Sequence, residues 1–321
     1  IIFQFSRFNV KKILLLCSYK SELFVKRYHN KKFFGCHVKC FVEKKQSGTA
    51  GALRNLKKFL DNSFYLSNGD TLINFNILNL RKFINQNSLI CFAILKNKKL
   101  NKRYSGVKIF KNHKISFNSL KSQYINTGFA LVKKRLINKI NKKHYHFERD
   151  FLVSLNKKYL NGHILSDKNN YFIDIGIPED LKKTKKFLSI FYKKSAVFLD
   201  RDGVINKDLG YVHKYKDLVY INNIKKVIKY LNDNNFYVFV ITNQSGIGRG
   251  YYSHEDVEKL HKLINLDMIK ESAHIDDFVY SPYFIDSKIK FSKKDRKMRK
   301  PNTGMINYLF KKWKINKKTS L

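Results

Sequence analysis

The chain is most constrained by residues 198–206, Phe-Leu-Asp-Arg-Asp-Gly-Val-Ile-Asn. The apolar run Ala196-Val197-Phe198-Leu199, set off by the polar Ser195, has the length and composition of a strand buried on both faces. It stops at Asp200, and Gly203 closes a turn just after Asp202. A carboxylate at the carboxyl end of a buried parallel strand stands where open α/β sheets place their ligands. Two carboxylates one residue apart divide the labour of group transfer. Asp200 suits a nucleophile and metal ligand, and Asp202 an acid/base that protonates a leaving oxygen. An Asp-rich surface turn would carry the same residues, so the reading depends on partners further along the chain.

The 321 residues suffice for two domains, and an apolar share of 43% supplies a core for each. No apolar run approaches the roughly 18 residues of a membrane span, and no signal peptide is recognisable, which suggests a cytoplasmic protein. Cys17, Cys36, Cys40 and Cys91 form no Cys-x-x-Cys pair. Cys36 and Cys40 with His37 lack the second ligand pair that zinc needs, so reduced thiols are expected. The formal charge of +41 raises nucleic acid as a partner. Its lysines, however, are spread along the chain among many Asn, Ile, Phe and Tyr. AT-rich codons produce that mixture without a binding role, so no nucleic-acid partner is expected. The charge still favours anionic substrates.

Residues 1–8 read as the end of a helix, Ile13–Cys17 as a buried strand, 21–29 as a helix and Val38–Val42 as a strand. In residues 43–60, Gly48 and Gly51 flank Thr49-Ala50, and a helical pattern of Ala52, Leu53, Leu56 and Phe59 follows. A Gly-rich turn opening a helix lets backbone N–H groups approach a ligand closely. The strand Phe64–Leu66 ends in Ser-Asn-Gly-Asp, so Asp70 also caps a strand. Further on lie Ile-Asn-Thr-Gly-Phe-Ala-Leu-Val at 125–132, Phe-Glu-Arg-Asp at 147–150 and Tyr-Phe-Ile-Asp-Ile-Gly-Ile-Pro-Glu-Asp-Leu at 171–181. In the last, Asp174 ends an apolar run and Pro178 suits a first helical turn.

In order and spacing these strings resemble the sugar-phosphate nucleotidyltransferases over residues 1 to about 190. The resemblance implies a Rossmann-like sheet on which a sugar-phosphate oxygen attacks the α-phosphate of a nucleoside triphosphate. It implies that Gly48 and Thr49 contact the nucleotide, that Asp70 and Asp174 hold Mg²⁺, and that Asn126, Thr127, Gly128 and Glu148 contact the sugar. That family opens with a Gly-rich phosphate loop carrying an Arg, which is not in this sequence. The pattern is expected to begin about 35 residues earlier, the usual length of an opening βα unit. Without the loop this half is expected to bind nucleotide poorly.

Leu181–Tyr192 read as a closing helix, and Lys193-Lys194-Ser195 as a short joint between domains at 1–192 and 193–321. In the second domain 222–234 read as a helix and Phe236–Ile241 as a buried strand ending in Thr-Asn-Gln-Ser-Gly-Ile-Gly-Arg-Gly, 242–250. The Thr242 hydroxyl at that strand end suits a phosphoryl contact. Ser253 with Asp256 resembles a capping box. Met-Arg-Lys-Pro at 298–301 adds Arg299 and Lys300.

Asp200, Asp202, Thr242 and Lys300 form the ordered set of the haloacid dehalogenase-like phosphatases. The longer strings resemble the heptose-bisphosphate and histidinol phosphatase branch. The resemblance implies attack by Asp200 on phosphorus and acid/base work by Asp202. It gives Thr242 and Lys300 the phosphoryl group, and makes Asp200 and Asp202 metal residues for Mg²⁺. It further implies substrate contacts from Asp208, Gly210, Tyr211, Asn243, Gln244, Ser245 and Arg299. Many relatives carry a zinc loop. Here its positions read Ser281-Pro282-Tyr283 and Arg296-Lys297-Met298, which cannot hold zinc. A final Gly-Asp-x-x-x-Asp-like strand end, which completes the family's metal site, would fall after Leu321. Both ends are therefore expected to be cut.

The expected architecture is α/β, a partial nucleotidyltransferase sheet followed by a partial haloacid dehalogenase-like sheet. The expected function is bifunctional: a heptose 1,7-bisphosphate loses its 7-phosphate, and the 1-phosphate is then joined to a nucleotide. A histidinol-phosphate-type phosphatase beside a sugar nucleotidyltransferase, and a catalytically dead sugar-phosphate-binding module, are the alternatives. Elemental analysis of the purified protein should find no zinc; about one zinc per chain would show that the loop is misplaced or that Cys36 and Cys40 hold metal.

Overall fold

The computed structural model describes residues 1–43, 48–96, 106–117, 122–141, 145–165, 171–176, 181, 184, 188, 191–287 and 290–321. Contacts divide it into two compact units, Ile1–Lys182 and Lys183–Leu321. The division falls ahead of the expected joint at 193. Phe191 is buried and the Tyr192 carbonyl accepts from Tyr237 Oη at 2.9 Å, so this end of the connection packs with the second unit. Most of the expected closing helix, together with Pro178, lies outside the described residues.

The first unit runs α1 (Ile2–Ser6), β1 (Lys12–Cys17), α2 (Ser21–Tyr28), β2 (Lys31–Phe33), β3 (Cys36–Val42), α3 (Gly48–Asn55), β4 (Ser63–Ser67), β5 (Thr71–Asn74), β6 (Ile90–Lys96), β7 (Val107–Ile109), β8 (Ile115–Phe117), β9 (Tyr124–Lys133), β10 (Leu160–Ile164) and β11 (Tyr171–Asp174). Among the described residues these strands form sheets ordered β1-β3-β2, β10-β6-β9-β4, β11-β5 and β7-β8. β1 and β3 are parallel, as are β6 and β10, whereas β9 runs antiparallel to both β4 and β6. The core gathers Leu53, Ile90, Ile94, Val132, Leu136 and Phe151, from α3, the central sheet and the turns behind it. At about 1.5–3 kcal/mol for each fully buried aliphatic or aromatic side chain, this cluster is the main stabilising term of the unit. The strand expected to be buried at 13–17 is only partly so. Leu16 is 42% exposed, because β1 pairs with β3 alone among the described strands.

The second unit contains β12 (Ala196–Leu199), α4 (Ile224–Asp233), β13 (Tyr237–Asn243), α5 (His254–Lys270), β14 (Asp277–Ser281), α6 (Lys293–Met298) and α7 (Gly304–Lys312). Its sheet has the order β12-β13-β14 and is parallel throughout. The six apolar residues Phe236–Ile241 put the central strand between two neighbours, and Tyr237, Val238, Phe239 and Val240 are buried. β12 is different. Only Ala196 is buried, while Val197, Phe198 and Leu199 are half-buried, because among the described strands β12 pairs with β13 alone and its other edge meets Leu321, whose N–H donates to Ala196 O at 2.9 Å. Ile228 of α4 and Leu260, Ile264 and Met268 of α5 complete a core around Val238 and Val240. Ser253 caps α5: its side chain accepts from Asp256 N, and Asp256 Oδ2 accepts from Ser253 N at 2.9 Å. Among the described residues no helix is long and apolar enough to cross a membrane.

One buried polar group gives the second unit a pH dependence. His261 on α5 stacks on Phe278 with ring centroids 4.5 Å apart, and burial, aided by the charge of Arg201, pushes its imidazole down to about 3. The unfolded chain takes up that proton near 6.5. Between about 3 and 6.5 the unfolded state therefore binds more protons, and stability falls as the pH falls through that window. The slope is up to about 1.4 kcal/mol per pH unit from this group. In urea unfolding between pH 7 and pH 5, His261→Phe should remove that part of the slope; an unchanged slope would contradict the assignment.

Candidate active sites

In the second unit the chain leaves the carboxyl end of β12 at Asp200. Its Oδ1 accepts from Arg201 N at 2.8 Å, and its Oδ2 is ion-paired with Lys300 Nζ. Lys300 Nζ also donates to Ile241 O at 3.2 Å, at the end of β13. The lysine is held from both sides of its own backbone. Its N–H donates to Asn243 Oδ1 at 3.0 Å, and Asn243 Nδ2 donates to Lys300 O at 3.2 Å. The Asp200 side chain remains 40% exposed, so its carboxylate is open to solvent.

Asp202 sits in a different environment. Arg201, fully buried, donates from Nε and Nη2 to Asp202 Oδ1 at 3.2 and 3.0 Å, and from Nη2 to Oδ2 at 3.0 Å. Asn206 Nδ2 donates to Oδ1 at 2.9 Å and Gln244 Nε2 to Oδ2 at 2.8 Å. The same Gln244 nitrogen reaches Thr242 Oγ1 at 2.9 Å. The turn that permits this is closed by Gly203, whose φ of 85° favours glycine and whose N–H donates to Asn206 O at 2.7 Å. Arg201 Nη2 further donates to Val212 O at 2.6 Å, which ties the following loop to the same guanidinium.

The structure thus joins Asp200 to Lys300, and Asp202 to Gln244 and Thr242. Asn243 faces the Lys300 backbone, and Gln244 is buried within the network, so the amides of both act on protein groups rather than as open ligand contacts. Arg299 Nη1 donates to Tyr283 O at 2.9 Å. Asp208, Gly210 and Tyr211 lie in an exposed turn, where Gly210 N donates to Asp208 Oδ1 at 3.1 Å and Tyr211 packs edge-on to Tyr251. Ser245 is half-buried, and its carbonyl accepts from Arg249 N at 3.0 Å. Arg201 and Asn206 were not singled out from the sequence, although both lie inside the 198–206 string. A basic residue between two aspartates is a signal for an internal counter-charge.

In the first unit, antiparallel pairing of β5 with β11 sets Thr71 opposite Asp174, and Ile175 N donates to Asp70 O at 2.9 Å. Two distant strand-end aspartates are thereby brought to one edge, Asp70 exposed and Asp174 half-buried. Thr49 Oγ1 accepts from Phe147 N at 2.9 Å, and Ala50 N donates to Tyr145 O at 3.1 Å. Gly48 lies so close to Tyr145 that a Cβ there would meet its carbonyl oxygen at 2.2 Å. Asn126 Nδ2 donates to Glu148 Oε1 at 2.7 Å, and Asn126 Oδ1 accepts from Gly128 N at 3.1 Å. Thr127 departs from expectation. It is buried, and its hydroxyl donates to Ala93 O at 2.8 Å, so it serves the sheet core rather than a sugar.

Among the described residues no three His, Cys, Asp or Glu side chains converge as a metal cluster. The exposed carboxylates of Asp70 and Asp200 nevertheless suit Mg²⁺, which is commonly bound by one or two carboxylates with substrate phosphates and water completing its shell.

Residues 2–189 match the family model described as Nucleotidyl transferase, and residues 197–321 match Polynucleotide kinase 3 phosphatase. The chain is 37% identical over 129 residues to D-glycero-alpha-D-manno-heptose-1,7-bisphosphate 7-phosphatase of Photorhabdus laumondii subsp. laumondii, covering 40% of this chain and 70% of that protein. It is 38% identical over 124 residues to D-glycero-beta-D-manno-heptose-1,7-bisphosphate 7-phosphatase of Rhodopseudomonas palustris, covering 39% and 69%. The structure of HddC from Yersinia pseudotuberculosis complexed with GMP-PN is 27% identical, with a TM-score of 0.48, over 58% of this chain and 82% of that one.

Proposed function

We propose, on the premise that this chain belongs to the nucleotidyl transferase family and to the family of the D-glycero-D-manno-heptose-1,7-bisphosphate 7-phosphatases, that it carries out two consecutive steps of heptose nucleotide-sugar synthesis. The second unit removes the 7-phosphate of heptose 1,7-bisphosphate. The first unit joins the resulting 1-phosphate to a nucleotide. The observation that carries this reading is the pair Asp200–Lys300 beside the separately held Asp202, in a chain whose other unit brings Asp70 and Asp174 to one edge.

In the phosphatase, an Asp200 carboxylate oxygen attacks phosphorus and the bond from phosphorus to the sugar oxygen breaks. Asp202 gives that oxygen its proton, then accepts one from the water that hydrolyses the aspartyl phosphate. Lys300 offsets charge on the phosphoryl oxygens, and its backbone clamp by Asn243 keeps the ammonium beside Asp200. Mg²⁺ would be held by Asp200, at the turn it shares with Asp202, and when bound supplies further charge neutralisation at the phosphoryl group. Arg299 and the 208–211 turn would contact substrate.

In the transferase, a 1-phosphate oxygen attacks the α-phosphate and pyrophosphate leaves. Asp70 and Asp174 would hold the Mg²⁺ of this site, Gly48 and Thr49 the nucleotide, and Asn126 with Glu148 the sugar. The proposed transferase domain lies within 1–192 and the proposed phosphatase domain is 193–321, with Phe191 and Tyr192 of the connection packed on the latter, and both work in the cytoplasm on phosphorylated sugars and nucleoside triphosphates rather than on nucleic acid. In the full-length protein, pyrophosphate release with each common nucleotide separates the two sites. Asp70→Asn should abolish nucleotidyl transfer and leave phosphate release intact. Asp200→Asn should abolish phosphate release, and should permit nucleotidyl transfer only when heptose 1-phosphate is supplied directly. Nucleotide sugar made from the 1,7-bisphosphate by Asp200→Asn would show that the order is wrong.

A further inference from the structure

Behind the phosphatase site lies a hydrogen-bond chain that ends on a residue with no role in the reaction described above. Tyr252, in the loop before α5, is 8% exposed. Its hydroxyl donates to Gln244 Oε1 at 2.9 Å, and Gln244 Nε2 contacts both Asp202 Oδ2 and Thr242 Oγ1, at 2.8 and 2.9 Å. Gln244 is itself 2% exposed.

The direction of every bond follows from chemistry. Both Asp202 carboxylate oxygens accept, from Arg201, Asn206 and Gln244, so the Gln244 amide presents its NH₂ to Oδ2. That nitrogen carries two hydrogens, one for Asp202 and one for Thr242. The Gln244 carbonyl oxygen then faces the other way and requires a donor. Tyr252 is that donor, and burial, the largest influence on it, pushes its phenol up to about 12, so the hydroxyl keeps its proton at neutral pH. Because Thr242 Oγ1 accepts from Gln244, its own hydrogen is left for a phosphoryl oxygen.

The packing around Tyr252 is built to this end. A Cβ on Gly246 would lie 2.2 Å from the Tyr252 ring, so only glycine at 246 admits the ring in this position. On its own side His213 stacks on the ring, with centroids 4.8 Å apart and an interplanar angle of 17°. The ring is fixed by Gly246 and His213, and the hydroxyl by Gln244 and a hydrogen bond from the Gly246 backbone.

We infer that Tyr252 is a positioning residue for phosphoryl transfer: through Gln244 it orients the Asp202 carboxylate and the Thr242 hydroxyl at once. The inference rests on the phosphatase reading, and it gives Gln244 a role inside the protein in place of a substrate contact.

Tyr252→Phe keeps the ring and removes only the hydroxyl, leaving the Gln244 amide without the contact that fixes its orientation. In the full-length protein, kcat on the sugar bisphosphate should fall about three- to ten-fold, the worth of one uncharged hydrogen bond, with KM within about two-fold of wild type. The loss on an aryl phosphate should be smaller, since that leaving group needs little protonation from Asp202. Gln244→Leu added to Tyr252→Phe should cost less than the two single losses multiplied. An equal loss on both substrates, or none, would overturn the proposal. A second readout needs no turnover. The Gln244 side-chain amide protons, followed by NMR, should exchange slowly in wild type and faster in Tyr252→Phe. Fast exchange in wild type, or the same rate in both, would also overturn it. A wild type that hydrolyses neither substrate while showing the protected amide would count against the assigned reaction and leave the network standing.

Discussion

A guanidinium cannot be deprotonated in a protein, and Arg201 is fully buried. Removing such a charge from water costs several kcal/mol unless it meets an opposite charge in good geometry. Asp202 is the neighbour that meets it, through both carboxylate oxygens. The remaining reach of Nη2 is spent on Val212 O. This one requirement shapes the turn after β12. It turns Asp202 inward while Asp200, one residue before Arg201, stays at the open side with Lys300. It also ties down Val212, just after the exposed turn at 208–211. Two carboxylates of identical chemistry thereby acquire different surroundings.

Much of this was legible in the sequence because it rests on local rules. Unbroken apolar runs marked β12 and β13, and Asp200 and Thr242 were visible as polar groups at their carboxyl ends. The Ser253 cap followed from residue types three positions apart. What the sequence concealed was direction. Asn243 and Gln244 were visible as polar groups beside Thr242, and both amides turn onto protein partners, one onto the Lys300 backbone and one into the Asp202 network. Arg201 read as one more cation in a chain of many, since nothing local states that it is enclosed. Thr127 lies in a motif that suggested a sugar contact, but the alternation of β9 sends its hydroxyl to Ala93 O. Burial of β12 was overestimated for the reason that sheet order is a long-range property.

The first unit shows the same limit from the other side. Asp70 and Asp174 were each recognisable as strand-end acids, yet their proximity comes from the antiparallel register of β5 and β11, which no local pattern reports. Gly48 is explained by a close approach to Tyr145, a contact across distant chain positions at the first residue of α3. The two chemistries are related through their substrates. A phosphatase that leaves the anomeric phosphate in place yields the nucleophile that a nucleotidyl transferase consumes, and this gives two separately folded cores a reason to share one chain.

The central claim is that Asp200 becomes covalently phosphorylated. The direct measurement is to mix the full-length protein with heptose 1,7-bisphosphate, quench in acid within one turnover, reduce with borohydride and sequence the peptides by mass spectrometry. Reduction converts an acyl phosphate to an alcohol and so marks the residue that carried it. The mark should fall on Asp200 and should be absent when substrate is omitted. A mark on another residue, or none during sustained phosphate release, would contradict the account.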